Sequence, residues 1–281
     1  MLKCTVLLRA CVLAICSLST CTLAESIATD NKTFNFGVYP YLTAALLDDI
    51  YTPASVEMSA ALGRNVRFHT SSTHKRYHHK LKHQNYDFAL IQPFWFPSAI
   101  DKLGYIPLVR MEEPFTALII VPDSSPLRET ADLNGKIIAT PPTFAPVVHM
   151  ARRALIKEGL IPGKNLQFKA FKTVDSCFQQ VLIGKADACI APSHAPGTIE
   201  EKMKVRTRVL LKTSSIPNIS LVAHNRVPAA DREKIKQLFL SWDKHISGQA
   251  LLKRMRTRRF IPAIDTEYDV VRTLLREINQ K

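Results

Sequence analysis

Apolar residues recur along this chain in two alternating rhythms. Short apolar runs such as Phe34-Asn35-Phe36-Gly37-Val38 and Ala117-Leu118-Ile119-Ile120-Val121 read as strands, and longer stretches with apolar positions three or four apart read as helices. Strands are predicted over 34–38, 66–70, 87–92, 106–111, 117–121, 136–140, 166–171, 186–191, 206–212 and 219–224. Helices are predicted over 43–62, 73–83, 97–102, 146–158, 176–183 and 196–203, then over 229–242, 246–255 and 267–279. Pro146 opens one helix and Gly159 closes it, because the first helical turn does not use the amide that proline lacks and glycine takes the left-handed conformation past a helix end. Strands alternating with helices predict an α/β architecture with mainly parallel sheets flanked by helices.

Two extended segments, 113–122 and 217–228, interrupt this alternation and read as hinge strands crossing between two lobes. Lobe 1 is then 25–115 plus 226–281, and lobe 2 is 123–216. No internal repeat, low-complexity tract or long linker is visible, which excludes a solenoid.

The first residues break the pattern. Lys3 and Arg9 precede an apolar run through Val12, Leu13, Ala14, Ile15 and Leu18, then small residues ending Thr22-Leu23-Ala24. That order is a secretory signal peptide over 1–24, with the cut expected after Ala24. Lipoprotein processing at Cys21 and an uncleaved anchor are the rival readings. No later stretch approaches the roughly 20 apolar residues that span a bilayer. The expected location is the periplasm.

Composition adds charge and cysteines. With 281 residues, 46% of them hydrophobic, the chain buries a sizeable core, and its formal charge is +14. Export and the absence of a recognised motif argue against nucleic acid as partner, leaving a solvated basic surface or an acidic ligand. The densest cluster, Lys253 to Arg259, reads as an exposed helix, with contact to anionic lipid as the alternative. Cys4, Cys11, Cys16 and Cys21 leave with the signal peptide, so Cys177 and Cys189 remain in an oxidising compartment. They are read as a disulfide, as two buried thiols or as a soft-ligand site.

Several short motifs occur in a recognisable order: Phe36-Gly37-Val38-Tyr39-Pro40-Tyr41, Tyr51-Thr52-Pro53, Leu62-Gly63-Arg64-Asn65-Val66, Asn85-Tyr86-Asp87-Phe88-Ala89, Asp132-Leu133-Asn134-Gly135-Lys136 and Gly184-Lys185-Ala186-Asp187-Ala188. Together they resemble the PhnD-like phosphate/phosphonate-binding components of ABC transporters over about residues 34–225. The resemblance implies a type-2 periplasmic-binding-protein fold, two α/β lobes that close on a ligand between them, with no enzymatic activity and no cofactor. It implies a small-molecule ligand and a transporter permease as partners. The alternative is a sensor lobe signalling to a membrane histidine kinase, which free Cys177 and Cys189 thiols would favour and a disulfide would weaken. A monomer is expected.

Open parallel sheets bind ligands beyond the C-terminal ends of their strands. Those ends place Tyr39, Tyr41, Gln92, Trp95, Thr143, Phe144, Asp175, Ser193 and His194 as ligand-binding candidates. The family carries a hydroxyl-rich loop at a helix start to hold its oxyanion; here that position reads Thr143-Phe144-Ala145-Pro146, which offers fewer hydroxyl and amide donors. The resemblance places the family's amine-binding acid at Asp175. Tyr39, Tyr41, Trp95 and Phe144 give the predicted cleft an aromatic character suited to a cationic or apolar ligand, with core packing as the alternative. His69, His74, His78, His79 and His83 include two i, i+4 pairs, but these lie on different helix faces among Lys75, Arg76, Lys80 and Lys82, so a solvated basic helix is expected and no metal site. No hydrolase, protease or phosphate-loop motif is present.

Overall fold

The computed structural model describes residues 33–279, so the predicted signal peptide and its four cysteines lie outside the described residues. The first sheet has six strands, β1 (Phe34–Val38), β2 (Val66–His69), β3 (Phe88–Ile91), β4 (Tyr105–Met111), β10 (Ser220–His224) and β11 (Phe260–Pro262), in the order β11-β4-β10-β3-β1-β2. The second has five, β5 (Ala117–Pro122), β6 (Ile137–Thr140), β7 (Gln167–Ala170), β8 (Ala188–Pro192) and β9 (Thr207–Lys212), in the order β7-β6-β8-β5-β9. Helices α1 (Ala44–Leu62), α2 (His74–Lys82), α3 (Phe96–Lys102), α7 (Ala229–Ser241), α8 (Ile246–Met255) and α9 (Asp269–Asn279) belong to the first lobe. The second carries α4 (Pro146–Lys157), α5 (Val174–Leu182) and α6 (Ala195–Met203).

The ten predicted strands all form, but the sheets are mixed rather than mainly parallel. Strands β1, β2 and β3 pair in parallel, as do β6, β7 and β8, whereas β10 runs antiparallel to both β3 and β4, and β5 runs antiparallel to both β8 and β9. The reason is connectivity. A strand entered directly from the other lobe starts at the cleft end of its sheet and runs away from it, opposite to strands reached through helices on the outside. Strands β5 and β10 are the two entered that way. The short strand β11, antiparallel to β4, is an addition that three residues of Phe-Ile-Pro did not announce.

The crossings are shorter than the extended segments 113–122 and 217–228, because β5 and β10 are absorbed into the sheets. What remains is 112–116 and 213–219. These two pieces pair with each other: Phe115 and Ile216 exchange both backbone bonds at 2.8 and 2.9 Å, and the hydroxyls of Thr116 and Ser215 are 2.9 Å apart. Asn218 donates to the Glu113 carbonyl at 2.9 Å, and the Tyr268 hydroxyl donates to the Asn218 carbonyl at 3.0 Å.

Each lobe repeats one device. The Asp87 amide donates to the Asn35 carbonyl at 2.9 Å while its carboxylate accepts from the Asn35 amide at 2.8 Å. Asp187 does the same with Ile137, at 2.8 Å in each direction. Two of the family-like motifs are therefore structural: each places an aspartate just before an inner strand so that it pins the start of the neighbouring one. Asp87 is 2% exposed and also meets Arg226 Nε at 2.7 Å. Asp87→Ala leaves a buried amide and a guanidinium without their acceptor, and is expected to lower unfolding free energy by about 2–3 kcal/mol in a denaturant titration.

Candidate functional site

The strand directions bring the C-terminal ends of β1 to β4 and of β6 to β9 to the space between the lobes. At the end of β1, Tyr39 is buried, with its ring centroid 5.1 Å from that of Tyr41 and 6.0 Å from that of Trp95. The Tyr41 hydroxyl is 2.7 Å from that of Tyr51. Burial drives the Tyr39 phenol well above its ordinary pKa, and Tyr41 is pushed up to about 12 by burial, opposed by the Tyr51 bond and the Arg256 charge. Both are neutral donors and acceptors at physiological pH.

After β3 the chain turns through Pro93–Trp95, with Gln92 before the turn. Trp95 stacks against His78 at 4.8 Å and against Tyr77 at 5.7 Å. Helix α2 is positioned for this by its cap, since the Thr73 hydroxyl accepts from the Arg76 amide at 3.1 Å. The histidine-rich helix is thus divided: Tyr77 and Leu81 are buried, His74 and His78 face Trp95, and His79 stacks on His83 at 4.1 Å on the outside.

In the second lobe, Thr143 and Phe144 are exposed in the loop between β6 and α4. Ala145 occupies the helix cap without a capping side chain and Pro146 follows it, so this helix start lacks hydroxyl donors. Phe144 reaches toward the first lobe, its ring 5.6 Å from that of His74. Gln92, Trp95 and Phe144 line one cavity of about 1030 Å³ together with His74, His78 and His149.

The remaining candidates stand apart. Asp175 forms a 2.8 Å ion pair with Lys202, so its carboxylate already has a cation. The Ser193 amide donates to the Thr116 carbonyl at 2.9 Å and ties β8 to the hinge. His194 precedes α6 with an exposed edge, and desolvation together with the Arg256 charge lowers its pKa. Cys177 and Cys189 are joined in a disulfide whose Cα atoms are 5.9 Å apart, so of the three readings of this pair the bonded one applies and neither offers a thiolate.

One residue escaped the sequence reading. The Lys253 to Arg259 cluster is not one exposed helix, because α8 ends at Met255 and Arg256 takes a left-handed conformation at φ 58°. From there the Arg256 guanidinium crosses to the second lobe and donates to Thr198 Oγ1 at 2.6 Å. Arg258 and Arg259 turn back to Glu112 and Glu113 at the hinge. The signal available in the sequence was weak: Met255-Arg256-Thr257 carries no helix-stop residue. A second interlobe link is the pair between Arg153 of α4 and Glu277 of α9 at 2.8 Å.

A family model for "ABC transporter, phosphonate, periplasmic substrate-binding protein" matches residues 36–268. Among solved structures, the chain is similar to PhnD1 of Prochlorococcus marinus in complex with methylphosphonate, at 17% identity, covering 90% of this chain and 100% of that one with a TM-score of 0.75. It is similar to a binding protein component of an ABC phosphonate transporter from Pseudomonas aeruginosa, at 16% identity, 87% and 86% coverage and a TM-score of 0.71. The aliphatic sulphonate binding protein SsuA of Escherichia coli follows at 13% identity, 88% and 87% coverage and a TM-score of 0.63. At these identities the structural likeness is one of fold. No curated protein matches the chain.

The cleft imidazoles carry a pH dependence. His74, His78 and His149 have pKa values lowered from 6.5, in each case chiefly by burial, with Lys82 adding to the effect at His78 and Arg152 at His149. The unfolded chain binds protons at these positions before the folded one does. Their stabilising contribution is therefore complete above the ordinary value of 6.5 and is lost as pH falls below it. The melting temperature is expected to fall between about pH 7 and about pH 5, and His78→Gln is expected to flatten part of that slope in a thermal melt series.

Proposed function

The chain belongs to the family of periplasmic substrate-binding proteins of phosphonate ABC transporters, and from that premise we propose that it captures a small solute between its lobes and presents the closed form to a transporter permease. In this reading residues 1–24 direct export and are removed, the mature protein acts as a monomer in the periplasm, and it catalyses no reaction. The two lobes move about the paired crossings, 112–116 and 213–219.

The observation that carries the reading is the meeting of His74 and Phe144, 5.6 Å apart on opposite lobes beside Trp95. A ligand shifts an open–closed equilibrium only by its difference in affinity for the two states, so it must touch both sides. His74 and Trp95 offer one wall, and Phe144 and His149 offer the other. The sensor alternative has no observation in its favour, since its thiols are consumed in the disulfide.

The test is a thermal-shift screen of the mature protein against phosphate, phosphite, alkyl-, aryl- and aminoethylphosphonates, quaternary amines and amino acids. A true ligand at 100 times its Kd adds roughly 2.7 kcal/mol to stability, an upward shift that is easily read. The absence of any shift across the panel would remove the solute-capture reading. For the ligand that shifts most, Trp95→Ala is expected to weaken binding by about 2 kcal/mol, near thirtyfold, in a calorimetric titration.

A further inference from the structure

The cavity beside Trp95 has walls unlike an oxyanion cradle. At about 1030 Å³ it stands at the upper end of the ~300–1,000 Å³ typical of sites for drug-sized ligands. Phe144 sits at its mouth 55% exposed, in the loop where the family-like motif would have hydroxyl donors, and its ring neighbour across the cleft is His74. Deeper in, Phe94 lies 5.9 Å from His149 and Trp95 lies parallel to His78. An exposed aromatic ring at the mouth of an aromatic cavity is apolar surface that a flat ligand would cover.

Charge selects among flat ligands. Arg272 is held by Asp101, Asp265 and Asp269 at 2.7, 2.7 and 3.0 Å, and of these carboxylates Asp101 and Asp269 line the cavity. Lys75, Lys102 and Arg276 line it together with Arg272, and four lining cations against two lining carboxylates leave the cavity net positive. The three imidazoles, neutral at physiological pH, add hydrogen-bonding capacity and no charge. An aromatic cage for a cation would need the opposite balance.

We propose that this cavity takes an anion bearing a flat aromatic or heteroaromatic ring, the ring against Phe144 and Trp95 and the anionic group toward Lys75, Lys102 and Arg276. The inference rests on the interlobe-capture reading and narrows its ligand from small phosphonates to aryl anions. Because Phe144 and His149 belong to the second lobe and the other named groups, those of α9 included, to the first, such a ligand would favour closure.

The experiment titrates the mature protein with three probes: methylphosphonate, phenylphosphonate and phenyltrimethylammonium. Phenylphosphonate is expected to bind at least about tenfold tighter than methylphosphonate, as burial of a phenyl ring allows. Phe144→Ala, on an exposed loop, is expected to weaken phenylphosphonate at least about fivefold more than methylphosphonate. Lys75→Gln is expected to weaken phenylphosphonate binding and flatten its salt dependence. Equal or tighter binding of methylphosphonate would overturn the aryl assignment and leave the capture reading standing. Preference for phenyltrimethylammonium would overturn the anion assignment. Binding of none of the three would also overturn this inference, and a shift with another solute of the thermal screen would then show that the capture reading survives it.

Discussion

Everything one lobe transmits through the backbone to the other passes along two short crossings that are hydrogen-bonded to each other at Phe115 and Ile216. The Phe115–Ile216 bridge satisfies two amides and two carbonyls of the crossings locally, so a rotation about it need not expose those groups. The Thr116–Ser215 contact and the anchoring of Asn218 by Tyr268 add to the ladder without bridging the cleft. The polar links that bridge it among the described residues, Arg256–Thr198 and Arg153–Glu277, join side chains at the surface. Such contacts are worth on the order of 1 kcal/mol or less each, a scale that a ligand can easily outweigh. A well-bonded hinge with weak latches is the energetic arrangement that lets binding decide closure.

The same crossings dictate what the cleft contains. Strands entered through them run away from the cleft, and the others except β11 run toward it and deliver their terminal loops there. That rule also explains Arg256. Strand β11 starts opposite Met111, the cleft end of β4, so the residues just before it must lie at the cleft edge. The left-handed backbone at Arg256 then turns its side chain across rather than along the helix. The twin aspartates, Asp87 and Asp187, hold the inner strands of each sheet in place, so the loops project from rigid frames.

Much of this was legible in the chain. Apolar rhythm located ten strands and nine helices to within a few residues, because most helices bury one face and the inner strands are short continuous apolar runs such as Ala117–Pro122. The aromatic group at Tyr39, Tyr41 and Trp95 was legible for the same reason, since strand ends are easy to place. Strand direction was not, because periodicity encodes which face is buried and carries no information on which end of the sheet the chain enters. Asp175 looked free because Lys202 is distant in sequence, and helix α6 brings it to 2.8 Å. Arg256 was hidden in a basic cluster whose members part company in three dimensions, one to the cleft and two to the hinge carboxylates.

The composition of the loop before α4 ties these threads together. A helix start can bind an anion through free amides and capping hydroxyls, but here Ala145 supplies no hydroxyl and Pro146 no amide. A negative charge held at this loop would be met by side chains instead. The available ones are Arg256 at one edge, and Lys75, Lys102 and Arg276 around the aromatic cavity at the other. Side-chain cations reach further than backbone amides but are less fixed, and the neighbouring rings, Phe144 above all, restrict what else the ligand can be. If the cavity takes an aryl anion, the missing amide donors and the exposed aromatic ring of this one loop would act in the same direction, away from a compact tetrahedral anion held by amides and toward a larger, flatter one held by its ring.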